Sequence, residues 1–212
     1  MIKIILVDDQ IMVRTGIRRL LEEIVDFSVI AEVSSGEEAL VLARDHQPDC
    51  MLMDVSLPGI GALEATRRML RVNPDLAVIG LGVQSDGPYP LHMLSAGACG
   101  YLSKACSARE LFNAVRSVVQ GHRYVSGDVA RRMVVAGVDA RRTPVDELSR
   151  RELEVLVMVS QAQTQHEIAE SLCVSPKTVS TYRTRICRKL GVNTDVELVH
   201  IALRYGLIEL RS

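Results

Sequence analysis

Apolar and polar residues follow two alternating periodicities over the first 120 residues. Five short apolar runs have strand length, and they lie at 2–7, 27–33, 49–55, 76–83 and 98–102. Between these runs, apolar residues recur at spacings of three and four, which is the period of an amphipathic helix. The pattern predicts helices at 10–23, 36–46, 61–71, 90–96 and 107–120.

A five-fold repeat of strand and helix predicts a parallel sheet with helices on both faces. The runs are apolar on both sides, which suits strands that are covered in this way. At this length the flavodoxin-like doubly wound arrangement is the commonest form of such a repeat, and its ligand sites lie at the carboxyl ends of the strands. We therefore predict an α/β domain with a five-stranded parallel sheet.

Only the helical period continues after Gly121. A short helix predicted at 127–136 runs into a stretch that combines glycine, proline and charges, and no strand pattern follows it. Four more helices are predicted at 148–160, 164–172, 175–190 and 194–205. We therefore expect the α/β domain at 1–121, a helical linker at 122–146 and an all-α four-helix domain at 147–212.

The composition fits two modest globular domains. The chain has 212 residues and a formal net charge of −1, and its longest apolar runs are too short for a membrane span or a secretory signal. A cytoplasmic location without membrane contact is the expectation. The five cysteines form no close pair, which suits reduced thiols better than zinc ligands or disulfides.

Carboxylates are predicted to meet at one edge of the sheet. Asp8 and Asp9 end the first strand, and Asp54 ends the third. Three close anions repel one another unless a cation joins them, and a cluster of oxygen ligands open to water favours Mg²⁺. A helix-capping role for Asp9, before the helix that starts at Gln10, is the simpler explanation for one acid but not for three.

A lysine is predicted at the same edge. Lys104 follows the fifth strand and can hold an anion that arrives beside the metal. Acids, metal and lysine together describe a carboxylate that accepts a phosphoryl group, with Asp54 as the nucleophile. Phosphorylation adds about one further negative charge at that position, so the domain is interpreted as a switch.

These residues resemble the receiver domain of bacterial response regulators over about 1–120. The resemblance rests on the Asp8–Asp9 pair, on Asp54 followed by VSLPG, and on the YLSK segment that ends at Lys104. It implies phosphorylation of Asp54 by a sensor histidine kinase. It further implies direct Mg²⁺ ligation by Asp9, Asp54 and the carbonyl of Ser56, ligation through water by Asp8, and a catalytic salt bridge from Lys104 to the phosphoryl group.

The fourth strand departs from the family pattern. Receivers have a Ser or Thr hydroxyl at its end that binds a phosphate oxygen, and an aromatic ring, here Tyr101, that moves inward behind it. In the segment AVIGLGVQ that position is Gly82, and Gly80 precedes it. We interpret Gly80 as the site of a close neighbour and Gly82 as a missing side chain. We therefore expect the coupling between phosphorylation of Asp54 and movement of Tyr101 to be weakened or rewired. Ser85 or a water could take the place of the missing hydroxyl.

The all-α domain has the layout of a helix-turn-helix. Ser175 is a predicted N-cap and Pro176 a first helical residue. No Asp or Glu occurs at 171–194, and the outward arc of the second helix is polar and basic, as suits a helix in the major groove. A solvated helix in a protein-binding bundle is the alternative from this pattern alone.

Two segments of this domain, LSRRELEVL at 148–156 and HEIAESLCVSPKTVSTYRTRICRKLGV at 166–192, resemble LuxR/FixJ-type DNA-binding domains. With the receiver, the chain resembles response regulators of the NarL/FixJ family, closest to the GacA/UvrY branch. The resemblance implies binding of double-stranded DNA by a homodimer that pairs through the last helix. Val196, Val199 and Leu203 are available for this pairing, and core positions are the alternative for them. It assigns base contacts to Ser180, Thr181 and Thr184, and phosphate contacts to Lys177, Arg185, Arg188 and Lys189.

Three functions remain open at this point. The favoured one is a transcription regulator in which phosphorylation of Asp54 frees or dimerises the DNA-binding domain. An aspartate-nucleophile phosphatase is weaker, because such enzymes have a general acid two residues after the nucleophile, where Ser56 stands here. The third is a DNA-binding regulator with phosphorylation-independent or weakened switching, because of Gly82.

Overall fold

The computed structural model describes residues 1–83, 89–138, 144–205 and 207–208. Ser85 and part of the linker and C terminus therefore lie outside the described residues. The five predicted strands are present. β1 Ile2–Val7 and β2 Phe27–Val33 have the predicted bounds, β3 Cys50–Asp54 and β4 Ala77–Gly82 are shorter by one residue at each end, and β5 Gly100–Ser103 begins two residues later and ends one residue later.

The sheet is parallel and doubly wound, with the order β2-β1-β3-β4-β5-β6. The flavodoxin-like prediction is confirmed, but the sheet has six strands instead of the predicted five, and the additional strand is β6 Tyr124–Val125. It pairs with β5 at Gly100 and Tyr101, and two residues are too few for sequence periodicity to reveal. Because β1 and β3 are neighbours in the order, their carboxyl ends lie side by side.

Five helices cover the two faces of this sheet. Side chains from alternate strand positions enter two separate apolar clusters, which is why the runs are apolar on both sides. Ser35 and Ser107 cap two of the helices, each accepting a hydrogen bond from a backbone N–H of the first turn. The helices are α1 Ile11–Glu22, α2 Gly36–His46, α3 Gly61–Val72, α4 Tyr89–Ala96 and α5 Ala108–Val119.

The predicted linker is partly folded onto the α/β domain. Besides β6, it contains α6 Gly127–Val138, which contacts α4 and β5. Val129 and Ser126 of this segment are fully buried. Residues 122–138 therefore extend the α/β domain rather than form a free connection.

The second domain is all-helical, as predicted. A short 3-10 helix, Pro144–Glu147, leads into α7 Arg150–Ser160, α8 Gln165–Leu172, α9 Pro176–Leu190 and α10 Asp195–Arg204. The caps Ser149, Thr164 and Thr194 each form a reciprocal capping box with a Glu three residues later, which fixes the starts of α7, α8 and α10. Ser175 and Pro176 begin α9 as predicted.

The two domains are in contact through α3 and α7. Val55, Ile60 and Leu63 of the α/β domain face Val157 and Met158 of α7 across this contact. In the part of the chain that the structure describes, no helix is both long and apolar enough to cross a membrane.

Candidate functional site

The three predicted acids meet at the carboxyl edge of the sheet. Asp54 is the last residue of β3, and Asp8 and Asp9 follow β1 directly. One carboxylate oxygen from each of the three lies within 4.8 Å of the other two. Asp8 and Asp54 are almost fully buried, whereas Asp9 is half-buried. The strand order brings them together, because β1 and β3 pair in parallel and end at the same edge.

Lys104 lies among these acids, as predicted. Its Nζ is 2.8 Å from Asp8 Oδ2 and 3.0 Å from Asp54 Oδ1. The backbone N–H of Lys104 donates to the carbonyl of Gly82 at 2.7 Å, which ties the end of β5 to the end of β4. Burial lowers the pKa of Lys104 but the charges of Asp54 and Asp8 raise it, and the net effect is a raised pKa, so the ammonium keeps its charge.

The buried carboxylates suit a divalent cation. Burial raises the pKa of Asp54 to about 7, since Lys104 offsets only part of the cost of desolvation and Asp8 adds like charge. Asp54 Oδ2 is buried without a hydrogen bond of good geometry among the described residues. Oxygen ligands of this kind fit Mg²⁺. Ser56 lies half-buried in the turn two residues past β3, at the same edge.

Asp8 has a local structural contact besides its place in the cluster. α1 begins at Ile11 with Gln10 as its N-cap, and Asp8 Oδ1 accepts a hydrogen bond of 2.8 Å from the N–H of Gln10, just before the helix. Asp8 also binds Lys104 with its second oxygen. The acids therefore combine a structural contact with an anionic site.

Both glycines of β4 have Tyr101 as their neighbour. The side chain of Tyr101 is 1% exposed. A Cβ built on Gly80 would lie 3.1 Å from Tyr101 Cδ2, and one built on Gly82 would overlap the Tyr101 hydroxyl and lie 3.0 Å from Cζ. The ring thus lies along β4 towards its carboxyl end. The close neighbour that we inferred for Gly80 is present. Gly82 was interpreted only as a missing side chain, but Tyr101 lies close to it as well.

The predicted DNA-reading face of α9 is open. Lys177, Ser180, Thr181, Thr184, Arg185 and Arg188 are all exposed. Val179 and Ile186 on the opposite side are buried in the domain core. The hydroxyls of Thr181 and Thr184 donate to the carbonyls four residues earlier, at 3.0 and 3.1 Å, so their orientation is defined before any ligand binds.

Lys189 differs from the other residues assigned to phosphate. Its Nζ lies 2.6 Å from Glu152 Oε2 and donates to the carbonyl of Glu147 at 3.0 Å. These contacts hold α9 against the start of α7. We therefore correct its expected role from phosphate contact to internal brace.

The last helix presents apolar residues outward. Val196 is 65% exposed, and Val199 and Leu203 are half-buried. Leu198 and Ala202 fill the core instead. The three apolar residues expected to pair with a second copy of the chain are thus partly accessible.

Sequence reasoning missed the contact between the domains. Glu154 of α7, 3% exposed in its side chain, binds Arg67 of α3 at 2.6 Å and Arg151 at 2.9 Å. Arg151 also binds Glu64 of α3 at 3.0 Å, and Glu64 pairs with Arg67. These four residues form what we call the interdomain ion network.

Two glutamines that follow α7 bind the loop after Asp54. The Nε2 atoms of Gln161 and Gln163 donate to the carbonyls of Leu57 and Gly59, each at 3.2 Å. Both carbonyls lie in the loop that follows Asp54. The sequence carried a signal for this docking, because α7 has apolar residues on every side, a feature of helices that are covered all round.

The comparisons with known proteins agree with this geometry. Residues 4–116 match the response regulator receiver domain, and residues 146–202 match the bacterial regulatory proteins of the luxR family. The chain is 45% identical to the response regulator UvrY of Escherichia coli K12, over 98% of this chain and 96% of UvrY. It is 42% identical to the response regulator GacA of Pseudomonas aeruginosa over the full length of both.

A solved structure is similar over almost the whole chain. RcsB of Salmonella enterica serovar Typhimurium, bound to a promoter in the presence of a phosphomimetic, is similar over 96% of this chain and 98% of RcsB, with 25% identity and a TM-score of 0.78. Nothing in these comparisons favours the phosphatase or the phosphorylation-independent alternative. The chain belongs to the response regulators that join a receiver domain to a LuxR-type DNA-binding domain, and it is homologous to the transcriptional regulators UvrY and GacA.

Proposed function

We propose that this response regulator is phosphorylated on Asp54 by a sensor histidine kinase and binds promoter DNA through α9. The observation that carries the proposal is the cluster of Asp8, Asp9, Asp54 and Lys104 at one sheet edge. In the same molecule, the basic face of α9 is exposed. A DNA-binding regulator acts in the cytoplasm, where we expect this chain.

Asp54 is the nucleophile in the proposed reaction. One of its carboxylate oxygens attacks the phosphorus of a phosphohistidine, the P–N bond breaks, and its electron pair stays on the imidazole nitrogen. Lys104 stabilises the charge on the transferred phosphoryl oxygens, because its Nζ already lies 3.0 Å from Asp54. Bound Mg²⁺ supplies additional positive charge to the phosphoryl oxygens, and Asp8, Asp9, Asp54 and the carbonyl of Ser56 would hold it.

The exposed face of α9 supports recognition of double-stranded DNA. Ser180, Thr181 and Thr184 are suited to base edges in the major groove, whereas Lys177, Arg185 and Arg188 are suited to phosphates. None of these side chains is covered by the receiver domain. Of the two effects expected from sequence, that phosphorylation frees or dimerises the DNA-binding domain, this open face favours dimerisation.

Coupling between the domains is proposed to run through the loop after Asp54. Gln161 and Gln163 bind two carbonyls of that loop, so a shift of the loop on phosphorylation changes the docking of α7 directly. A homodimer through Val196, Val199 and Leu203 of α10 completes the proposal. Its two-fold symmetry predicts an inverted-repeat DNA site.

The test is DNA affinity with and without acetyl phosphate and Mg²⁺. Wild type is expected to bind an inverted-repeat promoter more tightly with the phosphodonor, whereas Asp54→Asn shows no change. Asp75→Asn is the matched control, because Asp75 is an exposed aspartate between α3 and β4. Equal affinity of wild type with and without phosphodonor contradicts the proposal.

A further inference from the structure

The hydroxyl of Tyr101 occupies the place of a side chain at Gly82. A Cβ built on Gly82 overlaps this hydroxyl, so the tyrosine oxygen lies about where the first atoms of a serine or threonine side chain would be. The same built Cβ is 3.4 Å from Val55 Cγ2, and Val55 directly follows Asp54. The tyrosine hydroxyl is therefore at the acidic edge.

The register of the strands explains how the ring reaches this position. Tyr101 pairs with Gly80 across β4 and β5, and Asp54 pairs with Leu81 across β3 and β4. A ring that starts beside Gly80 and runs along β4 ends beside Gly82, one residue past the partner of Asp54. Two glycines are needed for this path, because a Cβ on either one would meet the ring.

We propose that the phenolic hydroxyl of Tyr101 takes over the phosphoryl contact that a serine or threonine at position 82 would make. On this proposal, which rests on phosphorylation of Asp54 as proposed above, Tyr101 donates a hydrogen bond to a phosphoryl oxygen on Asp54. One residue then both senses and binds the phosphoryl group, where two residues would otherwise share the task.

The chemistry of the phenol suits a donor. Burial, and then the negative charge of Asp54, raise the pKa of Tyr101, so the hydroxyl keeps its proton at neutral pH. A phenol that keeps its proton can donate to a phosphoryl oxygen, and a hydrogen bond to a charged acceptor is about twice as strong as a neutral one. The side chain is also held by packing, so little rotamer freedom is lost when it binds.

Ser103 is the rival donor. It pairs with Gly82 across the two strands and is 5% exposed. Its Oγ accepts a hydrogen bond of 3.1 Å from the N–H of Ala105, which engages it in the turn after β5. Tyr101 is favoured, because its hydroxyl lies at the side-chain position of residue 82 itself.

The experiment is a titration of ¹⁵N-labelled full-length protein with beryllofluoride and Mg²⁺, followed by NMR. Tyr101→Phe removes the hydroxyl but keeps the ring, and we expect its affinity to fall about tenfold to hundredfold. Adding Gly82→Ser to Tyr101→Phe returns a hydroxyl to the site and is expected to recover part of the loss, because Phe lacks the oxygen that a Cβ at Gly82 overlaps but keeps Cζ at 3.0 Å from it. Tyr124→Phe is the matched control, because Tyr124 pairs with Gly100 at the other end of β5.

A second measurement separates binding from packing. In protein labelled at tyrosine ¹³Cζ, the resonance that Tyr101→Phe removes is expected to shift when beryllofluoride binds wild type, because its hydroxyl gains an anionic acceptor. Equal affinities of wild type and Tyr101→Phe, or a loss seen only in Ser103→Ala, overturn the assignment to Tyr101. Absence of binding to wild type instead overturns the phosphorylation of Asp54, and the assignment with it.

Discussion

Single side chains at the carboxyl edge are fitted to one another with little spare space. The ring of Tyr101 fills the surface that Gly80 and Gly82 leave open, and Met93 packs near Gly80. Tight packing of this kind makes the edge sensitive to one added methyl group, because buried atoms cannot move apart freely.

Gly82→Ala is expected to destabilise the protein by about 1–3 kcal/mol, because the new methyl group must displace the buried Tyr101 hydroxyl. Urea unfolding of the full chain, followed by circular dichroism, measures the change. Gly16→Ala is the control: nothing lies within 4 Å of its added Cβ, and an alanine inside α1 is expected to stabilise by about 0.5–1 kcal/mol. An unchanged stability of Gly82→Ala would show that the space at Gly82 is open.

Mg²⁺ is expected to stabilise the wild-type protein against heat, since it binds the folded acid cluster and not the unfolded chain. At a concentration one hundred times its dissociation constant the gain is about 2.7 kcal/mol. Asp54→Asn removes the charge of one ligand and is expected to lose most of the stabilisation by Mg²⁺. Without metal, the variant is expected to be more stable than wild type, because it lacks the buried carboxyl group whose pKa is raised. Thermal melts with Mg²⁺ and with EDTA measure both effects, and an equal response in the two proteins would contradict the site.

At the scale of the element, α9 has neighbouring cations with different tasks. Arg188 is exposed on the outward face, whereas Lys189 is bound to Glu152 and to the carbonyl of Glu147. One turn of helix thus contains both a candidate DNA contact and a brace of the domain. Charge alone does not separate them.

Arg188→Ala is expected to lower DNA affinity and to reduce the slope of log affinity against log salt by about one unit, because one phosphate contact is lost. Lys189→Ala is expected to leave the salt slope unchanged and to lower the stability of the helical domain, because Glu152 loses its partner. Fluorescence anisotropy on promoter DNA at several salt concentrations, with melting curves, distinguishes the two. A salt-slope change in Lys189→Ala would return it to the phosphate contacts.

The sequence predicted elements and the acid cluster better than it predicted contacts between elements. Strand and helix periods are local, and parallel strands bring their carboxyl ends together whatever the details, so Asp8, Asp9 and Asp54 could be placed. The position of the Tyr101 ring depends on packing across two strands, and the partner of Lys189 depends on how α7 and α9 meet. Neither is encoded in a local period.

At the scale of the whole molecule, the receiver domain docks on α7 and leaves α9 open. Both carboxylates of the interdomain ion network are buried, and the two glutamines that follow α7 bind the loop after Asp54. A signal at Asp54 therefore has a short route to the DNA-binding domain.

Glu154→Gln is expected to loosen the docking and to reduce the effect of acetyl phosphate on DNA affinity. Two arginines that now share its charge would be left with one carboxylate, Glu64, and losing a hydrogen bond to a charged group costs about 1.5–3 kcal/mol. Small-angle scattering measures the spread of the domains, and a gel shift measures the coupling. Glu170→Gln, which changes an exposed residue of α8, is the control, and equal coupling in both variants would assign the signal to another route.

The docked arrangement is also expected to depend on pH through His92 of α4. Burial, and then the charge of Arg150, lower the pKa of His92, while Asp146 opposes them weakly. Because the docked form prefers the neutral imidazole, the stabilisation from His92 is present above its ordinary pKa of about 6.5 and is lost as the pH falls through the lowered value.

Wild type is therefore expected to lose docking between about pH 7 and pH 5 more steeply than His92→Gln, which has no proton to gain. Scattering across this range measures the radius of gyration of both proteins. His122→Gln is the control, because His122 is an exposed histidine that follows α5. The same pH profile in wild type and His92→Gln would remove His92 from the contact, and a flat profile in His122→Gln would assign the titration to that residue instead.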